Sequence, residues 1–151
     1  MNVLYISYDG LTDTLGRSQV LPYLCGLSKK GAKITILSCD KPHRYIKDFK
    51  NVKEITNQFD IQWYSVMYSN RLPILSPIFN ILKMYILATK LCRRKHIDIV
   101  HCRSYMASNI GLYLKRYFGI KFIFDMRGFF ADERVDGGIW NREKILYNIV
   151  Y

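Results

Sequence analysis

Charged side chains suited to binding a ligand follow an apolar run that ends near residue 125. Asp125 closes the run KFIFD, and Arg127 follows two residues later. The rest of segment 125–140 also contains Asp132, Glu133, Arg134 and Trp140. A guanidinium group matches the geometry of a diphosphate or a carboxylate, so these arginines suit an anionic ligand. The segment predicts one wall of a ligand cleft, and the alternative is a loop whose arginines form salt bridges with nearby acids.

The loop after the first apolar run has the composition of an anion-binding loop. Its sequence, DGLTDTLGRSQ, begins at Asp9 and carries Gly16, Arg17 and Ser18 just before a helical pattern. We expect that helix to begin near Ser18 or Gln19, with Pro22 in its first turn. Its unpaired amides and positive dipole end could then hold a phosphate. The alternative is a glycine turn with a serine N-cap. The loop matches neither GxGxxG nor GxxxxGK[ST], which argues against nicotinamide and P-loop chemistry.

Two more candidates lie at the end of the run DIVHC. Arg103 follows the run and is expected beyond a strand end, where it would pair with an anion or an acid. His101 alternates inward along the same run, so it is either a buried core residue or part of the cleft. The sequence has three histidines and no HExxH or DxD spacing, which predicts no metal site.

The fold that positions these candidate residues is predicted from an alternation of strand and helix patterns. The segments between the five strand-like runs have apolar residues at helical spacing, most clearly in 20–30 and 104–118. The alternation predicts a Rossmann-like α/β fold, a parallel sheet in the order 3-2-1-4-5 with helices on both faces. Ligands bind at the carboxyl ends of such strands, so the charged loops are expected to meet at one edge. The runs have the apolar pattern of buried parallel strands and cover 2–8, 33–38, 61–66, 98–102 and 121–125.

Composition favours a single folded domain with anionic partners. The 151 residues are 50% hydrophobic, and 23 Lys and Arg against 12 Asp and Glu give a formal charge of +11. Such a charge suits phosphorylated ligands, nucleic acid or a membrane surface. Four cysteines without CxxC spacing predict reduced thiols in a cytoplasmic protein. Because the aromatic residues lie mostly within apolar runs, we expect no nucleic-acid partner.

The most apolar segment, 72–96, is expected to form a helix from about Pro77 to Lys95. Its prolines and internal lysines interrupt the roughly 20 apolar residues that a membrane span needs. We expect the helix to pack on the sheet, or to lie in a membrane interface with its basic residues toward anionic headgroups, and one helix can do both. The basic residues are Lys83, Lys90, Arg93, Arg94 and Lys95.

Two long stretches together resemble a known enzyme family. ISYDGLTDTLGRSQVLPYLCGLSKKGAKITILS, followed by IDIVHCRSYMASNIGLYLKRYFGIKFIFDMRGFFADERVDGGIW, is similar to the amino-terminal domain of the retaining, two-domain (GT-B) glycosyltransferases of family 4. The resemblance implies transfer of a sugar from a nucleotide-sugar donor to a saccharide or lipid-linked acceptor, without a metal or other cofactor. It further implies cell-envelope polysaccharide synthesis by a cytoplasmic enzyme at the membrane, whose carboxyl-terminal domain supplies most nucleotide contacts.

The resemblance also implies roles for individual residues. Gly16, Arg17 and Ser18 stand where the family's glycine loop approaches the donor phosphate. Where the family often presents a histidine to the transferred sugar, this sequence has Asp125, with Arg127 two residues later. These two residues and His101, which borders the same cleft, are the catalytic candidates. The acceptor-binding candidates are Asp9, Arg103, Asp132, Glu133, Arg134 and Trp140.

The end of the sequence predicts an incomplete domain. Residues 141–151 have helical apolar spacing and stop without a capping residue or a breaker. Residues 1–151 are therefore expected to be a truncated amino-terminal domain that is inactive in isolation. Two other classes remain open, namely a non-catalytic basic α/β module that binds RNA or an anionic membrane, and a nucleotide-binding enzyme of another reaction class.

Overall fold

The sheet has five parallel strands in the predicted order. The computed structural model describes residues 1–69, 75–128 and 135–138 of the chain. The strands pair in the order β3-β2-β1-β4-β5, and each neighbouring pair is parallel. The Rossmann-like fold class is confirmed. The strands are β1 (Asn2–Ser7), β2 (Lys33–Asp40), β3 (Gln62–Met67), β4 (Ile99–Arg103) and β5 (Lys121–Asp125).

Four helices connect these strands, and they are α1 (Leu21–Lys29), α2 (Pro42–Gln58), α3 (Leu75–Arg94) and α4 (Ser104–Phe118). Helix α2 forms from a basic stretch of the sequence. Two glycines end helices as expected, because Gly31 after α1 has φ 86° and Gly119 after α4 has φ 69°. Both angles lie in the left-handed region that a helix-terminating glycine adopts without strain.

Two apolar cores lie on opposite faces of the sheet. Successive residues of a strand point to opposite faces, so Tyr5 of β1 packs with Leu24 of α1, whereas Leu4 packs with Met84 of α3 and Ile110 of α4. None of these five side chains is more than 1% exposed. Full burial of a side chain of this size contributes about 1.5–3 kcal/mol relative to exposure. Helices α1 and α2 therefore cover one face, and α3 and α4 cover the other.

The helix after β1 begins earlier than the sequence predicts. Helical backbone starts at Thr14, and a π-helical turn spans Gly16–Val20 before α1. In this turn the Leu21 amide donates to the Gly16 carbonyl, five residues back. Ser18 and Gln19 lie inside the turn, so the expected helix start near these residues is wrong, and so is the alternative serine N-cap. Pro22 is the second residue of α1. It therefore lies inside the helical segment that begins at Thr14 and not in the first turn of that segment.

Two strands extend further than predicted. β2 continues to Asp40, whose side chain is completely buried, so Asp40 is not part of an exposed loop. β4 continues to Arg103, which is 5% exposed, so Arg103 does not emerge beyond the strand end. In both cases a polar residue occupies the last position of a buried strand, where side chains from neighbouring loops reach it.

Candidate active site

A pocket opens at the carboxyl edge of the sheet beside β1, β4 and β5. Its floor follows the strand register, in which Tyr5 is level with His101 and His101 is level with Ile123. Two residues further along the same strands, Arg103 is level with Asp125. The pocket has a volume of about 390 Å³. A pocket of this size is in the range of small-molecule sites.

Gln19 closes the side of the pocket formed by the π-helical turn. Its Oε1 accepts one hydrogen bond from Arg103 Nη2 at 2.9 Å and another from Arg127 Nη2 at 2.8 Å. One amide oxygen therefore holds two guanidinium groups at the same place. The π-helical turn sets the direction of Gln19, and such turns are frequent at functional sites. Val20 and Tyr23 line the same wall.

The guanidinium groups are close to carboxylates but do not form tight pairs with them. Arg103 lies 3.9 Å from Asp9 and 3.9 Å from Asp125, and Arg127 lies 3.7 Å from Asp125. The Arg103 side chain is 6% exposed and that of Arg127 is 45% exposed. These separations exceed the usual length of a charge-assisted hydrogen bond. Both arginines therefore keep donors that a ligand oxygen can occupy.

His101 is both a buried residue and a wall of the pocket. Its ring makes edge contacts with Tyr5 at 4.8 Å and with Tyr23 at 5.9 Å between centroids. Burial lowers the pKa of His101 below its ordinary value, against the opposing charge of Asp125. Burial also raises the pKa of Tyr5 to about 12. The imidazole and the phenol are therefore neutral near pH 7, and each offers hydrogen-bonding capacity without charge.

An unpaired hydroxyl lies next to this site. Ser7 is level with Arg103 in the sheet register and is 3% exposed. Its Oγ has no hydrogen-bond partner among the described residues. A buried hydroxyl without a partner costs free energy, and such groups in native proteins call for an explanation such as a bound water or ligand oxygen.

The chain turns sharply where β4 leads into α4. Ser104 has φ 67°, a left-handed conformation that is uncommon outside glycine. Such a residue costs on the order of 1–3 kcal/mol unless its surroundings stabilise it, and such strain clusters at functional sites. The turn places the start of α4 directly after Arg103. The end of β4 and the start of a helix therefore meet at the rim of the pocket.

A buried carboxylate fixes the loop after β1. One oxygen of Asp40 accepts hydrogen bonds from Thr12 N at 2.9 Å and Thr12 Oγ1 at 2.8 Å. The other oxygen accepts from Ser38 Oγ at 2.5 Å and Ser65 Oγ at 2.8 Å. Hydrogen bonds to a charged group each contribute about 1.5–3 kcal/mol. Asp40 therefore anchors the loop that leads to Gln19.

The structure brings together five of the residues proposed from the sequence. His101, Arg103, Asp125 and Arg127 line the pocket, and Asp9 lies within 4 Å of Arg103. His101 is both a buried residue and part of the pocket, which are the two alternatives that the sequence left open. The suggested salt bridges of the arginines exist, but they are long.

The predicted donor-phosphate residues do not line this pocket. Gly16 is buried, and a Cβ atom there would lie 2.3 Å from the Gly10 carbonyl oxygen. Arg17 Nη1 lies 2.9 Å from Asp48 of α2. Ser18 is exposed. Their role toward a phosphate stays a prediction.

Four proposed acceptor-binding residues fall outside the described residues, and they are Asp132, Glu133, Arg134 and Trp140. Sequence reasoning missed other residues that line the pocket. Tyr5 was readable from strand alternation, because it shares a face with Ser7 on β1. Gln19 and Tyr23 gave no such signal, since their positions depend on the π-helical turn. Within residues 1–69, 75–128 and 135–138, no cluster of three or more metal-binding side chains occurs.

Solved structures share this fold at low sequence identity. The C-terminal domain of a hydrogenase from Pyrococcus furiosus is 15% identical, with a TM-score of 0.62 over 83% of this chain and 90% of that chain. MurG from Acinetobacter baumannii is 17% identical, with a TM-score of 0.51 over 82% of this chain and 34% of that chain. A glycosyltransferase from Rickettsia africae is 17% identical, with a TM-score of 0.52 over 82% and 29% of the two chains.

These likenesses show a fold of the kind found in glycosyltransferases. The chain spans about a third of MurG and of the Rickettsia glycosyltransferase. The fold also occurs in the hydrogenase domain, so fold alone does not select an activity. No protein-family model matches the sequence, and no curated protein matches it.

Proposed function

We propose that this chain is the amino-terminal, acceptor-side domain of a retaining glycosyltransferase of the family 4 type. In this proposal the enzyme transfers a sugar from a nucleotide-sugar donor to a saccharide or lipid-linked acceptor. A second domain supplies most contacts to the nucleotide. The glycosyltransferase-like fold and the two resembling sequence stretches support the proposal.

The location of the pocket carries the proposal. The chain builds β1, β2 and β3 outward in one direction and then returns to place β4 and β5 on the other side of β1. In open parallel sheets, ligands bind at the carboxyl ends of the strands where the order reverses. The pocket with Arg103, Asp125 and Arg127 lies beside that reversal.

The polar groups of the pocket match the needs of a sugar. Gln19 and Asp125 accept hydrogen bonds, Arg103 and Arg127 donate them, and neutral His101 suits a hydroxyl better than an anion. Tyr23 is 47% exposed at the rim, where its ring can pack on an apolar sugar face. The pocket therefore offers both donors and acceptors, as a polyhydroxylated ligand requires.

Departure of a nucleoside diphosphate develops negative charge, which preorganised donors stabilise. Arg127 is the exposed cation nearest the pocket, and Gln19 holds it in position at 2.8 Å. Asp125 and Arg127 occupy the position that faces the transferred sugar in the resembled family, and the acceptor hydroxyl attacks on the same face. We assign charge stabilisation to Arg127, and the proposal requires no metal.

A competing proposal is a non-catalytic basic module. The charge of +11 supports it, because basic patches bind polyanions. The pocket argues against it, since the two arginines there are balanced by Asp9 and Asp125 at 3.7–3.9 Å. A site of balanced charge suits a neutral sugar better than a polyanion.

Binding to the 151-residue chain tests the proposal. Backbone NMR spectra of the labelled chain are recorded during titration with UDP-glucose, GDP-mannose and methyl glucoside. We expect weak, millimolar binding, because in this proposal a second domain supplies most nucleotide contacts and the polar groups of the pocket stay solvated without it. The shifted resonances should include those of Gln19, His101 and Arg127.

Two variants provide the comparison. Arg127→Gln should remove the shifts, whereas Arg116→Gln, an exposed change on α4, should leave them intact. Micromolar affinity for a nucleotide sugar would show that this domain has its own nucleotide site, which contradicts the two-domain proposal. Shifts that avoid the pocket altogether would contradict the site assignment.

A further inference from the structure

Helix α3 exposes a row of large apolar side chains that the core does not use. Their spacing of i, i+3, i+4, i+7 and i+11 places them on a single stripe of the helix. The row consists of Leu75 (47% exposed), Ile78 (60%), Phe79 (52%), Leu82 (52%) and Ile86 (63%). Exposed apolar side chains that occur singly are normal, but a continuous row marks an interaction surface.

The opposite side of α3 fixes how the helix lies. Ser76, Asn80, Met84, Ala88 and Leu91 are buried, and the last three belong to the core cluster beneath the sheet. Asn80 also accepts a hydrogen bond from Ser69 N at 3.1 Å and donates one to Ser69 O at 2.9 Å. By length and composition α3 could cross a membrane. Because the inner side of α3 packs in the core, only the outer stripe is available to contact a membrane or another molecule.

Cations border the stripe. Lys83, Lys90, Arg93 and Arg94 are all exposed, and helical geometry places them along one edge of the stripe and at its carboxyl-terminal end. Helix α3 contains no acidic residue. An apolar stripe flanked by lysine and arginine is the pattern of a helix that lies in a membrane interface.

A groove between α3 and α4 extends this surface. It has a volume of about 510 Å³, and its lining includes Ile86, Arg93, Arg94 and Tyr113. Tyr113 stacks on Tyr117 with 5.5 Å between ring centroids, and Tyr117 is 59% exposed. Tyrosine is favoured at membrane boundaries because its ring is apolar and its hydroxyl is polar.

We infer that the outer stripe of α3, with its flanking cations, is a docking surface for an anionic lipid bilayer. The helix lies flat, with the stripe in the interface and the cations at the headgroups. The apolar stripe explains attachment, and the absence of acids explains selectivity for anionic lipid. The inference does not depend on the proposed glycosyltransferase activity.

Vesicle sedimentation tests the inference. The chain is mixed with vesicles of phosphatidylcholine alone, or of equal amounts of phosphatidylcholine and phosphatidylglycerol. We expect binding to the mixed vesicles only, weakened by salt. The triple variant Lys90→Gln, Arg93→Gln, Arg94→Gln should weaken binding on the order of 100-fold at low salt.

A matched triple variant separates this surface from overall charge. Lys30→Gln, Lys47→Gln, Lys50→Gln removes the same charge from the end of α1 and from α2, on the other face of the sheet, and should bind as the unaltered chain does. Equal losses in the two triple variants would overturn the inference, because net charge alone would then govern binding.

The apolar part of the surface has its own control. The double variant Ile78→Gln, Ile86→Gln should weaken vesicle binding at least tenfold, whereas Ile46→Gln should not. Ile46 is 81% exposed on α2, so it tests an exposed isoleucine on the other face. Absence of vesicle binding would overturn the inference. A concentration-dependent dimer that the double variant dissociates would also overturn it, and would assign the stripe to a second copy of the chain.

Discussion

Replacement of Gly16 by alanine tests why the loop after β1 needs glycine. The new Cβ would lie 2.3 Å from the Gly10 carbonyl oxygen and 2.7 Å from that of Leu11. Both are backbone atoms, so no side-chain rotation relieves the clash. The loop must move, yet Thr12 anchors it to buried Asp40 through two hydrogen bonds. Overpacking costs about 1–3 kcal/mol, and loss of one such bond adds about 1.5–3 kcal/mol.

The favourable helix propensity of alanine offsets up to about 1 kcal/mol of this cost. We therefore expect Gly16→Ala to lower the free energy of unfolding by about 3 kcal/mol. Gly26→Ala is the matched control. Gly26 lies in α1, and a Cβ there would have no neighbour within 4 Å. The control should raise the free energy of unfolding by about 0.5–1 kcal/mol.

Urea denaturation monitored by circular dichroism measures both differences. The reasoning would be refuted if the two variants agreed within about 0.5 kcal/mol, the usual range of surface substitutions. A stable Gly16→Ala variant would mean that the loop tolerates a methyl group there and that packing does not require glycine.

The remaining predictions concern groups that titrate. Burial lowers the pKa of His101, so the unfolded chain binds more protons and stability should fall as pH drops below about 6.5. Histidine NMR titration should give His101 a pKa below the ordinary histidine value, and an ordinary or raised value would contradict this. Burial raises the pKa of Cys39 and Cys102 to about 12 and that of Cys92 to about 11. These thiols should react with iodoacetamide at pH 8 only in urea, and rapid native labelling would disprove it.

Much of the fold was readable because local patterns and topology agree. Apolar runs alternating with helical spacing leave few arrangements besides a parallel sheet with helices on both faces. Helix α2 was harder to predict, because its aromatic side chains contact a residue of β3 that is distant in the sequence. Tyr45 and Phe49 lie 5.6 and 5.7 Å from Trp63 of β3 between ring centroids. Sequence periodicity does not reveal a contact of that kind.

The candidate site was readable only in part. The charged strand ends meet because parallel strands share one edge, so Arg103 and Asp125 were predictable together. Gln19 was not, because its direction depends on the π-helical turn before Pro22. The end of β2 was not predictable either. The strand continues two residues beyond the predicted run, to Asp40, because hydroxyl and amide donors from Thr12, Ser38 and Ser65 allow a carboxylate to be buried.

The two proposed surfaces lie on opposite faces of the sheet. The pocket floor contains Tyr5, on the face that α1 and α2 cover, whereas α3 packs against the other face. Among the residues that the structure describes, none lines both the pocket and the α3–α4 groove. Attachment through α3 would therefore leave the pocket open. Ile123 of β5 lines the pocket, and Ile123 and Phe124 are 44% and 39% exposed. In the proposed reaction, a lipid-linked acceptor would therefore meet apolar side chains at β5.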